Sequence, residues 1–430
     1  MSAQYSADEL GRIEPYLPRF ADDELANRLR ATGAVLIEGP RGCGKTQTAL
    51  RAARSAVRLD RDVAARRAGE LKPALLLAGA RPHLIDEWQL VKEVWNEVRG
   101  DVDDHPEEPG RYILTGSAVP ADDATRHTGS LRFTRLRLRP MSLAESGHST
   151  REVSVGDLFD GGEAAASDPG LDLQDLAERI VIGGWPGLLH RDPAAAMVAT
   201  QGYLDETRRV DLGRLDGPRR DPENVARVVR SLARNTATEA SARTIAADVA
   251  GADGGIDYHT VLDYVGALSR LFIVEDLAAW SPALRSRGPL RSSVTRHFAD
   301  PSLAAAALGA DVERLLGDAE TLGLLFESLV IRDLRVYGQA VGATVSHYRD
   351  ATGAEADAIL ELRDGRWAAA EIKLGQHRID EGARSLLRVV DHVDTERHGP
   401  PAFTAVITGW GYAYRRPDGV FVLPIGALTA

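Results

Sequence analysis

Two groups of residues have the types and spacing to do chemistry. The first is Gly39-Pro40-Arg41-Gly42-Cys43-Gly44-Lys45-Thr46, which fits G-x-x-x-x-G-K-[ST]. In such a loop the backbone N–H groups face phosphate oxygens. Lys45 supplies a compact positive charge for the β- and γ-phosphates, and Thr46 a hydroxyl for Mg²⁺. The second is Glu327, Asp357, Glu371 and Lys373, in the order E…D…E-x-K. Acids in this arrangement can hold a divalent metal beside a phosphodiester, and a lysine can assist the attacking water. Of the 52 basic residues only Lys45, Lys72, Lys92 and Lys373 are lysine, and two of those four fall in these patterns. Where arginine has taken nearly every other site, a retained lysine points to a need for a point charge rather than a planar fork.

The elements that must position these groups are legible around them. Ala34–Glu38 is apolar and reads as a buried strand, and residues 46–53 are rich in helix formers, so the glycine loop lies between strand and helix as its chemistry requires. Residues 82–89 read as a strand ending in Asp86 and Glu87. Asp86 is placed to hold the water shell of Mg²⁺ and Glu87 to polarise an attacking water. Residues 111–117 read as a further buried strand ending in hydroxyls, with Ser117 as a polar sensor of the γ-phosphate. Arg19 reads as a surface arginine within reach of the nucleotide.

These blocks resemble bacterial ATP-binding proteins in which an AAA-type ATPase module precedes a C-terminal domain of unknown function. The likeness rests on Leu36–Arg41, Leu84–Gln89, Ile113–Ser117, Leu138–Gly147 and Gly183–Pro186. It implies ATP and Mg²⁺ as ligands and ATP hydrolysis as the activity. It also implies a homo-oligomer in which an arginine acts on a neighbour's γ-phosphate, a role open to Arg126 and Arg132.

Residues 222–280 read as a winged helix. Residues 224–233 carry an apolar stripe of helical period, and Val261, Leu262, Val265 and Leu268 are expected to face a core. The stretch that follows holds Arg285, Arg287, Arg291 and Arg296 with no acid between Ser281 and Phe298, and could contact DNA phosphates. A domain interface is the alternative use of the same residues.

The acid–lysine order resembles the PD-(D/E)xK nuclease core. Two-residue periodicity tests it. A two-residue turn at Asp364-Gly365 would put Asp357 and Glu371 on opposite faces; a three-residue loop, Arg363-Asp364-Gly365 with Gly365 left-handed, sets Asp357 opposite Glu371 and Glu355 opposite Lys373. The three-residue loop is the expectation.

The resulting architecture is α/β: a P-loop AAA-type ATPase domain over 1–150, a helical linker over 151–220, a winged helix over 221–300 and a restriction-endonuclease-like domain over 301–430. A net charge of −11 argues against a surface that coats nucleic acid throughout. The single cysteine, Cys43, excludes a disulfide framework. With no apolar run of membrane-spanning length and no secretory signal, a cytoplasmic location is expected. The expected partners are ATP or ADP, DNA and further copies of the chain, with no membrane. The alternative is a nucleotide-gated switch whose C-terminal domain only binds a partner.

Overall fold

The structure is a computed structural model and describes residues 11–116, 129–215, 220–250, 256–281, 294–350 and 352–430. The chain forms two compact units: of the described residues, the first takes those up to Pro140 together with 214–215 and 270–272, and the second takes the rest from Met141 on.

In the first unit α1 (Phe20–Ala31) precedes β1 (Ala34–Glu38), and the phosphate loop leads from β1 into α2 (Lys45–Ala52). The order continues with β2 (Ser55–Arg58), α3 (Val63–Leu71), β3 (His83–Asp86), α4 (Val94–Asp104), β4 (Tyr112–Gly116) and β5 (Phe133–Arg137). The five strands are parallel and lie in the order β2-β3-β4-β1-β5. Parallel strands covered on both faces need apolar residues at successive positions, which is why β1, β3 and β4 show no alternation. The consequence for function is that β4 stands between the phosphate-loop strand and the strand of paired acids. All three end at one edge, the edge at which open α/β sheets bind ligands.

The second unit opens with β6 (Val153–Ser154) and α5 (Val155–Phe159). Helices α6 (Leu173–Ile182), α7 (Pro193–Glu206) and α8 (Leu212–Arg214) follow, then α9 (Pro222–Arg234), α10 (Ala242–Val249) and α11 (Tyr258–Arg270). An antiparallel pair, β7 (Val274–Leu277) and β8 (Thr295–Phe298), leads to α12 (Pro301–Leu308), α13 (Val312–Leu316) and α14 (Ala319–Val341). Aspartates Asp172, Asp192, Asp221, Asp311 and Asp318 each accept a backbone hydrogen bond at a helix start, so part of the chain's acidity serves as capping. The stripe on α9 is buried through Val225, Val228, Val229 and Leu232. On α11 the expectation needs one correction: Val261, Val265 and Leu268 are buried but Leu262 is 40% exposed, a helical step away from that face.

After α14 come β9 (Ala343–Arg349), β10 (Glu355–Leu362), β11 (Trp367–Lys373), α15 (Ile379–His392), α16 (Thr395–His398), β12 (Thr404–Thr408), β13 (Tyr414–Arg415), β14 (Phe421–Pro424) and β15 (Leu428–Thr429). The sheet runs β13-β14-β12-β11-β10-β9, antiparallel through β9, β10 and β11 and parallel from β11 to β12 and β14. Helix α15 closes the apolar face with Ala383, Leu386 and Val389 against Ile359, Trp367, Ala369 and Val406.

A buried polar network anchors α14. Arg332 lies 2.8 Å from Asp300 and 2.6 Å from Asp333. Asp333 also accepts from Leu143 N at 2.9 Å, and Asp300 from Gly184 N at 2.9 Å, while Trp185 Nε1 donates to Ser302 Oγ at 2.9 Å. The sequence blocks around 141–147 and 183–186 are therefore held by the ends of this network and serve the fold. Burial opposes every charge in it, and only complete hydrogen bonding offsets that cost. No described helix is long and apolar enough to cross a membrane.

Candidate functional site

The phosphate loop takes its shape from its glycines. Gly42 (φ +82) and Gly44 (φ +106) adopt left-handed conformations that a side chain would strain, and Gly44 caps the start of α2. Gly39 is required for a different reason: a Cβ there would lie 2.0 Å from the carbonyl oxygen of Leu138. Pro40 O accepts from Cys43 N at 3.4 Å, and Arg41 is the exposed crest of the loop. Lys45 is only 6% exposed, and its Nζ donates to Gly39 O and Pro40 O, each at 2.8 Å.

Thr46 Oγ1 donates to both Asp86 oxygens, at 3.0 and 3.3 Å. Asp86 is 1% exposed and also accepts from Thr115 Oγ1 and, at 3.3 Å, from Arg58 Nε. A hydroxyl and a carboxylate meeting at the mouth of a phosphate loop fit Mg²⁺, which prefers hard oxygen ligands. Glu87 follows in a left-handed conformation (φ 57), and its N–H donates to Thr115 Oγ1 at 3.3 Å. Burial pushes the Glu87 carboxyl up, Lys45 pulls it down, and the Asp86 charge adds to the rise. The structure thus brings Lys45, Thr46, Asp86 and Glu87 to one edge.

Ser117 lies outside the described residues. Thr115, near the end of β4, is the hydroxyl that donates to the Asp86 carboxylate and accepts the Glu87 backbone N–H, and sequence reasoning passed over its individual role. The pairing of Asp86 with Thr115 across β3 and β4 is what selects it, and that requires the strand order. Arg126 also lies outside the described residues. Arg132 is not brought to the loop: it sits before β5, at the opposite end of the sheet, with Nε 2.6 Å from Asp103 Oδ1 and Nη1 donating to Ser130 O at 3.0 Å. Arg19 is not on the surface as expected. It is 6% exposed and donates to Cys43 O at 2.9 Å and to Arg139 O at 2.7 Å.

In the C-terminal sheet the three-residue loop is present. Leu362 N donates to Arg366 O at 2.8 Å, and Gly365 has φ +89. The ladder pairs Ala358↔Ala370, Ile359↔Ala369, Leu360↔Ala368 and Glu361↔Trp367, and the register it sets, extended past its last pair, puts Asp357 on the side of Glu371 and Lys373. Lys373 Nζ is 2.8 Å from Glu371 Oε1 and 3.9 Å from Asp357 Oδ2, and Ile372 N donates to Asp357 Oδ2 at 2.7 Å. Glu371 Oε2 is buried without a hydrogen-bond partner, an acceptor that a cation could satisfy. Burial, then the Asp357 charge, push the Glu371 carboxyl up to about 8. Burial also raises Asp357, against the pull of Lys373. Lys373 resists its own burial because Asp357 and Glu371 favour its charged form, and it is raised.

Glu327 feels the same field: burial first, then Asp357, hold its carboxyl well above the usual range. It does not complete a ligand set, however. Among the described residues no three His, Cys, Asp or Glu side chains converge closely enough to hold a metal. The expectation of three assembled acids is corrected to an Asp357–Glu371–Lys373 row with Glu327 as an electrostatic neighbour. Glu327 comes from a different helix, α14, while Gly382 of α15 packs directly over the row, where a Cβ would sit 3.3 Å from Glu371 Cγ and 3.4 Å from Lys373 Cγ.

Arg285, Arg287 and Arg291 fall outside the described residues. Arg296 is engaged within the unit: its Nη1 donates to Ala240 O at 2.5 Å and its Nε lies 3.4 Å from Asp276. It stabilises the β7–β8 pair rather than facing a partner, which corrects its assignment as a DNA contact.

Three family models match successive parts of the chain: an AAA domain over residues 31–147, a domain of unknown function (DUF8612) over 173–314, and another (DUF4143) over 322–428. No curated protein matches in sequence. Similar solved structures include the Walker-type ATPase paby2304 of Pyrococcus abyssi, 14% identical, with 69% of this chain and 97% of that chain covered and a TM-score of 0.44. AMPPCP-bound DnaA from Aquifex aeolicus is also 14% identical, with 62% and 92% covered and a TM-score of 0.25. A RuvB variant of Thermotoga maritima is 17% identical, with 67% and 94% covered and a TM-score of 0.24. The chain carries an N-terminal AAA-type P-loop ATPase domain followed by two domains of unknown function.

Proposed function

We propose that the chain hydrolyses ATP with Mg²⁺ as a homo-oligomer acting on DNA, and that its C-terminal domain is a nuclease-like module. The observation that carries the ATPase reading is the meeting of Thr46, Asp86 and Thr115 where β1, β3 and β4 end. Lys45 would exchange two loop carbonyls for the β- and γ-phosphate oxygens. Thr46 and Asp86 would hold Mg²⁺, which when bound neutralises charge on those oxygens. Glu87, its carboxyl raised by burial, would take the proton of the water that attacks the γ-phosphorus, giving ADP and phosphate. Thr115 would hold the Asp86 carboxylate and the backbone of Glu87. Arg132 would act in trans only after leaving Asp103.

Two features support the DNA-directed part. Helices α9–α11 followed by the β7–β8 pair have the element order of a winged helix. The order α14, β9, β10, β11, α15, β12, with the last two strands parallel, is that of the restriction-endonuclease-like core, and Asp357 and Glu371 both lie beside Lys373 on it. The second reading, a nucleotide-gated switch whose C-terminal domain only binds a partner, is favoured by the 3% exposure of Glu371 beneath α15. ATP turnover with and without single-stranded, duplex and branched DNA, beside a Lys45→Ala control, separates the two. Stimulation by DNA that weakens with salt supports the first reading, and indifference to all three DNAs the second. Cleavage lost in Asp357→Ala, with ATP turnover kept, would assign the nuclease.

A further inference from the structure

The residues ahead of α1 lie along α2 and hold it. Arg12 donates to Leu50 O at 3.1 and 2.9 Å and to Ala53 O at 3.4 Å, covering carbonyls at the end of the helix. Ile13 N donates to Gln47 Oε1 at 2.9 Å, and Gln47 Nε2 returns a bond to Gly11 O at 3.2 Å. Tyr16 OH donates to Asp22 Oδ1 at 2.8 Å and lies 3.1 Å from Thr48 Oγ1. Asp22 in turn accepts from Arg19 N at 2.9 Å. The clasp ends on the guanidinium of Arg19, which bridges Cys43 O and Arg139 O.

The bridge has a geometric consequence. The carbonyl of Cys43 and the N–H of Gly44 belong to one planar trans peptide unit and point in opposite directions. Drawing Cys43 O onto a buried guanidinium turns the Gly44 N–H away from Arg19, which leaves it available to a phosphate oxygen. Arg139 O anchors the same guanidinium on the segment after β5, and Cys43 Sγ reaches Leu138 O, on that segment too, at 3.4 Å. An eight-residue helix such as α2 has little stability alone, so its starting geometry depends on what packs around it.

We propose that Arg19 is a positioning residue for the phosphate loop, setting the Cys43–Gly44 peptide for nucleotide, and that residues 11–22 are thereby coupled to nucleotide binding. This rests on the ATPase reading above. The test measures Mg·ATP affinity, KM and kcat on the full chain for wild type, Arg19→Ala, Arg19→Lys and Lys45→Ala. Arg19→Ala should weaken affinity and raise KM about tenfold, with kcat changing less. Arg19→Lys, able to reach one carbonyl but not to span two, should fall between. A folded Arg19→Ala protein with wild-type affinity and KM overturns the proposal, as does one that only loses active fraction. Wild-type affinity in Lys45→Ala would instead defeat the nucleotide-site reading beneath it. Hydrogen exchange on the wild type needs no variant to fold. Because coupling is reciprocal, Mg·ATP should slow exchange at residues 11–22 by a comparable factor. Unchanged exchange there also overturns the proposal.

Discussion

Replacing Glu371 by glutamine should remove a pH dependence of stability that the wild type carries. Glu371 is 3% exposed beneath α15, with one oxygen on Lys373 and the other without a partner. Its carboxyl is raised from 4.5 to about 8 by burial and then by Asp357. The folded chain therefore keeps a proton that the unfolded chain releases near pH 4.5. Stability from that proton is complete below pH 4.5 and is lost as the pH climbs to about 8. The slope is about 1.4 kcal/mol per pH unit, or ~5 kcal/mol over the window. Glutamine has the shape of the protonated acid and nothing to titrate. Glu371→Gln should match the wild type within about 1 kcal/mol at pH 5 and exceed it by several kcal/mol at pH 9. Calorimetric unfolding of the full chain from pH 5 to pH 9 reads the difference. Asp357 and Glu327, also raised, tilt both proteins the same way. If the variant is weaker at every pH, or falls in parallel with the wild type, Glu371 is an ionised partner of Lys373 and the argument fails.

Other outcomes follow from the same geometry. Thr115→Val removes a charge-assisted hydrogen bond to Asp86 and the acceptor of the Glu87 N–H; at about 1.5–3 kcal/mol, ATP turnover should fall ~10–100-fold with nucleotide affinity kept, and Thr115→Ser should restore it. Gly39→Ala brings a Cβ within 2.0 Å of Leu138 O, a backbone atom that cannot swing aside, so calorimetry should find no Mg·ATP uptake by folded protein. Arg332→Met leaves Asp300 and Asp333 buried without their cation and should cost about 3–5 kcal/mol in thermal unfolding, far more than a surface arginine.

Local constraints made some of this readable in advance. Left-handed positions at Gly42 and Gly44 are tied to residue type, so the phosphate loop announces itself between an apolar strand and a helix. The side-chain period of a strand is two, so counting back from the loop at Gly365 sets Asp357 against Glu371 without any coordinates. Counting along one strand pair gives no information on a third element. It could not show that α15 packs Gly382 onto the acid–lysine row, nor that Glu327 stays outside a ligand set.

Arginine shows the limit most plainly, since its long side chain suits a surface, an ion pair or a carbonyl bridge equally well. Arg19 and Arg296 looked alike as charges in sequence. One braces the phosphate loop from 24 residues away and the other secures a β-pair from within. Thr115 became distinct only when β4 was inserted between β1 and β3. Backbone conformation and strand period are properties of neighbouring residues, and the amino-acid order alone determined them here. Which distant atoms meet depends on the order of strands and the packing of helices, and only the tertiary structure decided that.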